Sequence, residues 1–366
     1  MVNHSGSLND KIELKGIYKR YGKNEVVKDV NLTINKGDFV TILGPSGAGK
    51  TTVLKMISGF TDISEGQILV DGKDMANVEA SQRNFGMLFQ NYALFPHMTV
   101  EQNIEYPLKI RKIEAKKRKE MIENILEVVN LKGFNKRYPK ELSGGQQQRV
   151  AMARTIVFNP LVLLLDEPMA ALDKQLRKQM QKEIRKIHRD LGLTTISVTH
   201  DQEEALTMAN KICVMRDGKI CQVSSPEDLY EYPNSRFIAN FIGESTILDG
   251  HITEIKNKQA SVQLKDGQIV PVDLKDRAHL FHQGQDMYLV LRPERFRMVS
   301  NDFNGIVLEG FINQSTYVGD AYYLEIESED GLDLKVQTYA RGKYDLRRGA
   351  PIKVGFYPKD LVPVVE

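Results

Sequence analysis

The first part of the chain alternates short apolar runs with segments whose apolar residues recur at helical spacing. The runs at residues 39–43, 161–165 and 195–199 are mostly apolar or β-branched, which is typical of buried strands. A helix is predicted at about residues 176–191, because apolar side chains form one stripe with Lys and Arg on the other side. Strands interleaved with helices, from residue 12 to about 223, predict a parallel sheet covered on both faces.

Two further regions depart from this pattern. Residues 91–141 have a mostly helical pattern and are predicted to form a helical subdomain. Beyond about residue 245, short alternating segments such as 322–327 are separated by Gly, Asp and Asn turns, which predicts a small antiparallel β-barrel or sandwich. A chain of 366 residues exceeds the usual size of one core. We therefore predict an α/β domain at residues 1–243 and an all-β domain at residues 244–366.

Composition and hydropathy narrow the class of protein. Fifty basic residues against 48 acidic ones leave a formal charge of +2, which gives no electrostatic support for a nucleic-acid partner. No apolar run approaches the roughly 20 residues that span a bilayer. Residues 1–10 also lack the apolar segment of a signal peptide. We expect the chain to stay in the cytosol unless a membrane partner holds it.

The two cysteines, Cys213 and Cys221, lie in a predicted hairpin that turns at Asp217 and Gly218. With a two-residue turn, Val214 would pair with Cys221, and Cys213 would project from the opposite face of the sheet. We therefore predict that no disulfide joins them. Reduced cysteines suit a cytosolic protein.

Residues 44–51 satisfy the phosphate-binding pattern GxxxxGK[ST] and follow the strand-like run 39–43. Glycines let backbone N–H groups curve around phosphate oxygens, and the helix that follows directs the positive end of its dipole at them. Lys50 is predicted to reach the β- and γ-phosphates of a nucleotide, and the Thr51 hydroxyl is predicted to ligate Mg²⁺.

Two carboxylates, Asp166 and Glu167, follow the apolar run 161–165 at the end where such sheets bind ligands. We predict that Asp166 holds Mg²⁺, directly or through water, and that Glu167 polarises the attacking water. Taken alone, an apolar strand that ends in Asp-Glu is more often a capped strand end. The phosphate-binding pattern upstream favours the catalytic interpretation.

Between these two sites, residues 142–150 read Leu-Ser-Gly-Gly-Gln-Gln-Gln-Arg-Val. This stretch resembles the signature of the ATP-binding cassette (ABC) family, and the resemblance covers about residues 12–243 with its motifs in order. It implies a P-loop ATPase fold with a helical subdomain, and a pair of chains in which the signature of one closes over the ATP of the other.

The resemblance also implies roles for single residues. Gln90 resembles the glutamine that senses Mg²⁺ and the attacking water, and His200 resembles the switch histidine that contacts the γ-phosphate. Asp173 resembles an aspartate that communicates across the dimer. Tyr21 resembles the aromatic residue on which adenine stacks, with Tyr18 as its nearby competitor.

The site predicted in this way involves ATP and Mg²⁺. Its catalytic residues are Glu167, His200, Gln90 and Lys50, and its metal ligands are Thr51, Gln90 and Asp166. The residues expected to contact the nucleotide are Tyr21, Gly44, Pro45, Ser46, Gly47, Ala48, Gly49, Lys50, Thr51, Thr52, Ser143, Gly144, Gly145, Gln146 and Asp173.

The C-terminal part resembles the OB-like TOBE region of ATPase subunits in binding-protein-dependent importers, on residues 291–294 and 317–320. Residues 173–181, 208–218 and 241–244 are most similar to spermidine/putrescine importer ATPases. The resemblance implies an ATPase that energises import, with polyamines as the solute. Its implied partners are a second copy, two permease subunits and, through them, an extracytoplasmic binding protein, at the cytoplasmic face of the membrane.

Other functions remain open at this point. The same ATPase role could serve a ferric-iron or sugar importer. A soluble ABC ATPase acting on nucleic acid is a distant alternative, because OB folds also bind oligonucleotides. Against it, the stretch between Lys50 and Ser143 carries no heptads, and the chain has one cassette. A P-loop kinase would have no use for residues 142–150.

Overall fold

The computed structural model describes residues 11–90, 92–170, 172–300, 302–339 and 344–366. The expectation about a signal peptide in residues 1–10 lies outside these ranges. The chain divides into two compact units, Met1–Pro226 and Glu227–Glu366.

The first unit contains ten strands and six complete α-helices among its described residues. The strands are β1 (Lys11–Tyr21), β2 (Asn24–Asn35), β3 (Phe39–Leu43), β4 (Glu65–Val70), β5 (Lys73–Asp74), β6 (Phe85–Leu88), β7 (Val162–Asp166), β8 (Thr194–Thr199), β9 (Lys211–Arg216) and β10 (Lys219–Ser224). The helices are α1 (Lys50–Ser58), α2 (Val100–Ile110), α3 (Ala115–Val128), α4 (Gly144–Ile156), α5 (Lys174–Leu191) and α6 (Gln202–Met208).

A six-stranded sheet in the order β10-β9-β3-β8-β7-β6 forms the centre of this unit. Its strands β9, β3, β8, β7 and β6 are parallel, and β10 pairs antiparallel with β9 at the edge. Every residue of β3 and β8 is buried, as their continuous apolar and β-branched runs predict. The predicted α/β class is confirmed, and the predicted strand at 161–165 lies one residue further along, at Val162–Asp166.

A second sheet of the first unit is antiparallel, with the order β2-β1-β4-β5. Only a parallel sheet was predicted for this part of the chain, so the prediction was incomplete. Strand β1 starts with alternating buried positions, but register shifts interrupt its pairing with β2 after Leu14, Ile17 and Lys19. Such bulges break the two-residue period on which strand prediction depends. The sheet shares one core with α1 and the parallel sheet.

The helices α2, α3 and α4 form a second core with α5. Its apolar residues include Ile104, Leu126, Val150 and Ile184, all of them buried. Helix α2 begins at a capping box, in which the Thr99 hydroxyl and the Gln102 side chain satisfy each other's backbone N–H groups. Helix α5 begins at Lys174 rather than at about residue 176.

The β9–β10 hairpin differs from its prediction in register. Val214 pairs with Gln222, not with Cys221, because Cys221 is an extra residue in a β-bulge. No disulfide joins Cys213 and Cys221, as predicted. Burial raises the pKa of the Cys213 thiol to about 12.

The second unit is built mainly of β-strands, as predicted. Helix α7 (Pro226–Glu231) begins at the division and is followed by α8 (Arg236–Phe241). The strands are β11 (Thr246–Lys256), β12 (Gln259–Leu264), β13 (Ile269–Asp273), β14 (Asp286–Leu291), β15 (Arg297–Met298), β16 (Ile306–Tyr317), β17 (Tyr322–Ser328), β18 (Asp333–Thr338), β19 (Pro351–Phe356) and β20 (Val362–Val364).

These strands form two five-stranded antiparallel sheets, in the orders β13-β12-β11-β14-β20 and β15-β19-β16-β17-β18. Leu248 and Leu289 of the first sheet share a core with Leu308 and Leu324 of the second. The division of the chain precedes the predicted domain boundary at residue 243, because Ala239 of α8 packs in a cluster with β14 and β20.

Within the described ranges, none of the helices combines the length and apolar character that crossing a membrane requires.

Candidate nucleotide-binding and catalytic site

The phosphate-binding loop joins β3 to α1 and depends on glycine for its shape. Gly47 and Gly49 have φ angles of 80° and 94°, in the left-handed region. A Cβ atom at Gly49 would lie 2.8 Å from the Val26 carbonyl oxygen, and one at Gly44 would lie 2.2 Å from that of Met215. Side chains are therefore excluded where backbone N–H groups must curve around a phosphate.

The start of α1 has no side-chain cap, because its N-cap residue is Gly49. The first N–H groups of a helix have no partner within the helix, and they bind anions readily. Pro45, Ser46 and Gly47 are exposed, whereas Ala48 is buried and its N–H donates to the Pro45 carbonyl over 3.3 Å. Thr52 is half-buried in the first turn.

Lys50 is buried, with 6% of its surface exposed. Its ammonium donates to the carbonyl oxygens of Gly44 at 2.8 Å and Pro45 at 2.9 Å, so it lies folded against the loop. Burial lowers the pKa of this ammonium, and the carboxylates of Glu167 and Asp166 oppose the shift. The loop thus carries a positive charge at the position where phosphates would lie.

Asp166 ends β7 and meets the loop directly. The Thr51 hydroxyl donates to its carboxylate over 3.3 Å. Burial raises the pKa of the Asp166 carboxyl, and the hydrogen bond from Thr51 opposes this. One hydroxyl and one carboxylate suit Mg²⁺, which is usually bound by one or two carboxylates together with substrate phosphates.

Glu167 and His200 form a pair beside Asp166. The His200 Nδ1 lies 3.2 Å from the Glu167 Oε1. Glu167 has a φ of 46°, an uncommon conformation for a residue with a side chain, and its N–H donates to the Val198 carbonyl over 3.0 Å. Strain of this kind clusters at functional sites. More than half of the His200 side chain is exposed, so the imidazole is accessible to a ligand.

A hydrogen-bonded network involves the residues on either side of His200, and none of its members was among the predicted site residues. The Thr199 hydroxyl donates to the Glu204 carboxylate at 3.1 Å and accepts from the Asp201 N–H at 3.0 Å. The Arg177 guanidinium binds the Asp201 carboxylate at 2.7 Å. Burial raises the pKa of Glu204 to about 7. The contacts of Thr199 are local in the chain, whereas that of Arg177 with Asp201 joins α5 to the start of α6, and no sequence motif signals it.

Gln90 follows a strand at this edge of the sheet, whereas Asp173 begins a helix. Gln90 is exposed and follows β6, whose Leu88 pairs with Leu165 immediately before Asp166. Asp173 caps α5, and its carboxylate accepts from the Leu176 N–H over 2.9 Å.

Tyr21 ends β1 and is 53% exposed. The hairpin it belongs to continues into β2, whose Val26 carbonyl lies against Gly49 of the loop. The Lys19 ammonium lies 5.0 Å from the centre of the Tyr21 ring. Tyr18 is half-buried, with the Arg20 guanidinium 5.3 Å from its ring centre. Tyr21 is therefore the more accessible of the two aromatic candidates.

The signature residues cap their own helix. Ser143 is the N-cap of α4, where its hydroxyl accepts from the Gln146 N–H at 3.4 Å and the Gln146 side chain accepts from the Ser143 N–H at 3.0 Å. Gly144 has open space where a Cβ would lie, and Gly145 faces Leu176. Among the residues that the structure describes, no hydrogen bond or ion pair joins residues 143–146 to the phosphate-binding loop of the same chain.

A buried glutamine, Gln148, connects α4 to the segment after β7 and was not among the predicted site residues. Its side-chain N–H₂ donates to the Pro168 carbonyl at 2.9 Å, next to Glu167. Gln148 is fully buried, and its Oε1 has no hydrogen-bond partner. The helix that carries the signature residues is thereby joined to the segment that carries the predicted catalytic carboxylate.

Comparison with known proteins identifies both parts of the chain. Residues 27–170 match the family model described as ABC transporter, and residues 289–364 match the one described as TOBE domain. Two relatives, from Haemophilus influenzae and Clostridium novyi, are named spermidine/putrescine import ATP-binding protein PotA. The first is 44% identical over 312 residues, which are 84% of this chain and 82% of the relative. The second is 42% identical over 350 residues, which are 96% of both chains.

Solved structures similar to the first part of the chain are ABC cassettes. The dimeric structure of the bacterial cassette MJ0796 superposes with a TM-score of 0.52 at 32% identity, over 59% of this chain and 98% of that one. A post-hydrolysis dimer of the same cassette, bound to ADP and phosphate, has the same TM-score at 31% identity and the same coverage of both chains.

Proposed function

This chain belongs to the ABC transporter family, and we propose that it is the ATP-hydrolysing subunit of a membrane importer for polyamines such as spermidine and putrescine. The observation that carries the ATPase assignment is the cluster of Lys50, Thr51, Asp166, Glu167 and His200 at one edge of the parallel sheet. The solute is proposed from relatives that match most of the chain and carry that name.

ATP binding is proposed to begin at the phosphate-binding loop. The uncapped N–H groups of α1 and the Lys50 ammonium bind the β- and γ-phosphates, and Lys50 exchanges its carbonyl partners for phosphate oxygens. Thr51 and Asp166, with Gln90 nearby, would hold Mg²⁺, which neutralises phosphate charge. Tyr21 stacks on the adenine from the adjoining hairpin.

Hydrolysis requires a water molecule aligned with the γ-phosphate. In the proposed mechanism the Glu167 carboxylate accepts a hydrogen bond from this water and polarises it. His200, which lies beside Glu167 in the same chain, contacts the γ-phosphate. The network of Thr199, Asp201 and Glu204 keeps the backbone around His200 in position.

The second half of each site is proposed to come from a second copy of the chain. Ser143, Gly145 and Gln146 of that copy bind the γ-phosphate, which then bridges the two chains. Hydrolysis removes the bridging charge, so the contacts that favour the closed pair are lost and the pair reopens. Asp173 communicates across this interface. The motion passes to two permease subunits at the cytoplasmic face of the membrane, which receive solute from an extracytoplasmic binding protein.

A first experiment tests the proposed pairing. Glu167→Gln is expected to bind ATP without hydrolysing it, and light scattering should then show an ATP-dependent dimer. Glu203→Gln is the matched control, because Glu203 is an exposed glutamate in an ion pair with Lys178. This control should hydrolyse ATP normally and form no lasting dimer.

A second variant separates this dimer from any other self-association. Glu167→Gln combined with Ser143→Arg should still bind ATP but should remain monomeric, because the new side chain fills the space of the bridging phosphate. A dimer that persists in the double variant, or a single variant that stays monomeric with ATP bound, would contradict the head-to-tail arrangement.

The solute needs a transport assay. The chain is co-expressed with the permease and binding-protein genes that neighbour its own, and the complex is reconstituted in proteoliposomes. ATP-dependent uptake of radiolabelled spermidine or putrescine is expected. Uptake of ferric iron or maltose without polyamine uptake would show that the proposed solute is wrong, but it would not contradict the proposed ATPase role. Stimulation of the isolated ATPase by nucleic acid would favour the alternative class.

A further inference from the structure

The second unit contains a cleft far along the chain from the nucleotide-binding motifs. Its volume is about 340 Å³, within the range of small-molecule sites. The walls come from the end of α7, the segment after β13, the turn before β15 and the turn before β20. All of its lining residues belong to Glu227–Glu366, so the cleft is complete within this unit.

The charges that line the cleft are unbalanced. Its five cationic side chains are Lys275, Arg277, Arg295, Arg297 and Lys359, and its three carboxylates are Glu231, Asp273 and Asp360. Two of the carboxylates are already engaged. Arg295 binds both oxygens of Glu231 at 2.7 and 2.8 Å, and Arg297 lies 3.5 Å from the largely buried Asp360. The remaining wall carries more positive than negative charge.

Arg277 contributes a half-buried positive charge without a matching carboxylate. Its guanidinium donates to the carbonyl oxygens of Tyr232, Pro233 and Pro363, which carry no net charge. Within the described ranges it forms no ion pair. Burial lowers the pKa of this guanidinium, which reflects the cost of holding the charge away from water. A buried charge of this kind is stabilised when an anion binds beside it.

Two lysines extend this positive surface. The Lys275 ammonium lies 4.2 Å from the centre of the Tyr232 ring, and the Lys359 ammonium lies 5.5 Å from that of Tyr357. Neither lysine pairs with a carboxylate in the part of the chain that the structure describes. Aromatic rings hold both ammonium groups at the cleft and leave their N–H donors available to a ligand.

We propose that this cleft binds a small multivalent anion whose charge is carried by phosphate or carboxylate groups. Arg277 and the two lysines supply the charge-assisted hydrogen bonds, and Tyr232, Leu361 and Val362 contact the uncharged body of the ligand. The cleft is larger than one inorganic anion needs, so the ligand is a metabolite of moderate size rather than phosphate alone.

Calorimetry on the full chain tests this site with two probes, citrate for the carboxylate class and fructose 1,6-bisphosphate for the phosphate class. The titrations are run without Mg²⁺, at low and at moderate salt. At least one probe should bind, and its affinity should fall as salt rises. Lys275→Gln combined with Lys359→Gln should weaken binding by about tenfold or more. Lys265→Gln, an exposed lysine of the same unit outside the cleft, should change nothing.

The Lys50→Ala variant distinguishes binding of a probe in the cleft from binding at the phosphate-binding loop. Binding retained in Lys50→Ala and lost in the double lysine variant supports the proposal. Binding lost in Lys50→Ala and retained in the double lysine variant would place the anion at the loop and overturn it. Absence of binding by either probe to the wild-type chain would also overturn it. Both lysines are exposed, so their replacement should leave the thermal unfolding midpoint unchanged and exclude misfolding as the cause.

Discussion

Two helices of the first unit begin in contrasting ways, although glycine lies at both starts. Helix α1 begins at Gly49, which offers no side chain to its free N–H groups. Helix α4 begins at Ser143, which forms a capping box with Gln146. Gly49 is required by its φ of 94°, whereas Gly144 in α4 has open space around it. The first N–H groups of α1 have no side-chain acceptor and can bind a ligand, whereas at the start of α4 a side chain accepts from an N–H group of that helix.

The difference matches the two parts that these helix starts play in the proposed pair. The start of α1 would bind phosphate within a single chain, so a side-chain cap would compete with the ligand. In the proposed pair, the start of α4 would have no phosphate until a second chain brings one, and its own cap would keep it stable until then. The Ser143 hydroxyl accepts from Gln146, and its hydrogen remains available to donate to a phosphate.

The largest expected effect is a difference in ATP affinity between variants at the starts of α1 and α4. Lys50→Ala removes the charge that is proposed to bind phosphate in the single chain, so ATP affinity should fall roughly 10- to 100-fold. Ser143→Ala should leave the ATP affinity of the single chain unchanged and abolish ATP-dependent pairing in the Glu167→Gln background. Titration with a fluorescent ATP analogue measures the first effect, and light scattering measures the second. Equal losses of affinity in both variants would remove the distinction.

Alanine at the two glycines compares the backbones directly. Gly49→Ala forces a side chain into the left-handed region and within 2.8 Å of the Val26 carbonyl, so it should lower the free energy of unfolding by roughly 2 kcal/mol or more. Gly144→Ala meets no neighbour and should stay within about 0.5 kcal/mol of the wild type. Urea denaturation measures both. A stable Gly49→Ala chain that binds ATP normally would contradict the steric account of the loop.

The capping box of α4 should make a measurable but smaller contribution to the free energy of unfolding. Ser143→Ala leaves the Gln146 N–H without its side-chain acceptor, and the free energy of unfolding should fall by about 1 kcal/mol. Ser143→Thr retains a hydroxyl and serves as the control, with a loss of a few tenths of a kcal/mol. If alanine and threonine were equivalent in urea denaturation, the capping box would contribute nothing to the isolated chain.

The start of α6 provides a third case, in which the contribution to the free energy of unfolding should depend on pH. Asp201 caps α6 through the Glu204 N–H, and burial raises the pKa of Glu204 to about 7 from its usual 4.5. Between these values the folded chain binds more protons than the unfolded one, so this contribution to stability is present at low pH and is lost as pH rises through 7. Glu204→Gln should remove about 1 kcal/mol of the change in unfolding free energy between pH 6 and pH 8.

The control for that measurement is Glu203→Gln, which changes the neighbouring exposed glutamate on the same helix. Its unfolding free energy should keep the pH dependence of the wild type. An identical pH dependence in wild type and Glu204→Gln would show that Glu204 does not titrate in this range.

Much of the fold and of the loop could be predicted from the sequence, because local patterns determine them. The buried run at Phe39–Leu43 and the spacing of Gly44, Lys50 and Thr51 require no knowledge of the tertiary structure. The antiparallel sheet of β1, β2, β4 and β5 was missed, because bulges interrupt its alternation. The register of the β9–β10 hairpin was wrong for the same reason, since Cys221 is an inserted residue.

The contacts around the site depend on residues distant in the chain. The pairing of Arg177 with Asp201 joins two helices, and the bond from Gln148 to Pro168 joins a helix to a strand end. Arg177 and Gln148 are residue types that are common within helices, so the sequence gives no signal of these contacts. The roles assigned to Gln90, Asp173 and Tyr21 rest on resemblance, and they stay predictions.

The bond between Gln148 and Pro168 has a consequence for cooperativity. In the proposed pair, α4 of each chain would touch the partner's ATP through Ser143 and its own catalytic segment through Gln148. One helix would therefore report on both nucleotides, and hydrolysis would depend on ATP with a Hill coefficient above one. A mixed pair with a single Glu167→Gln copy would then retain well under half of the wild-type rate, because the Glu167→Gln site would keep its ATP and hold the pair closed after the intact site had hydrolysed its own.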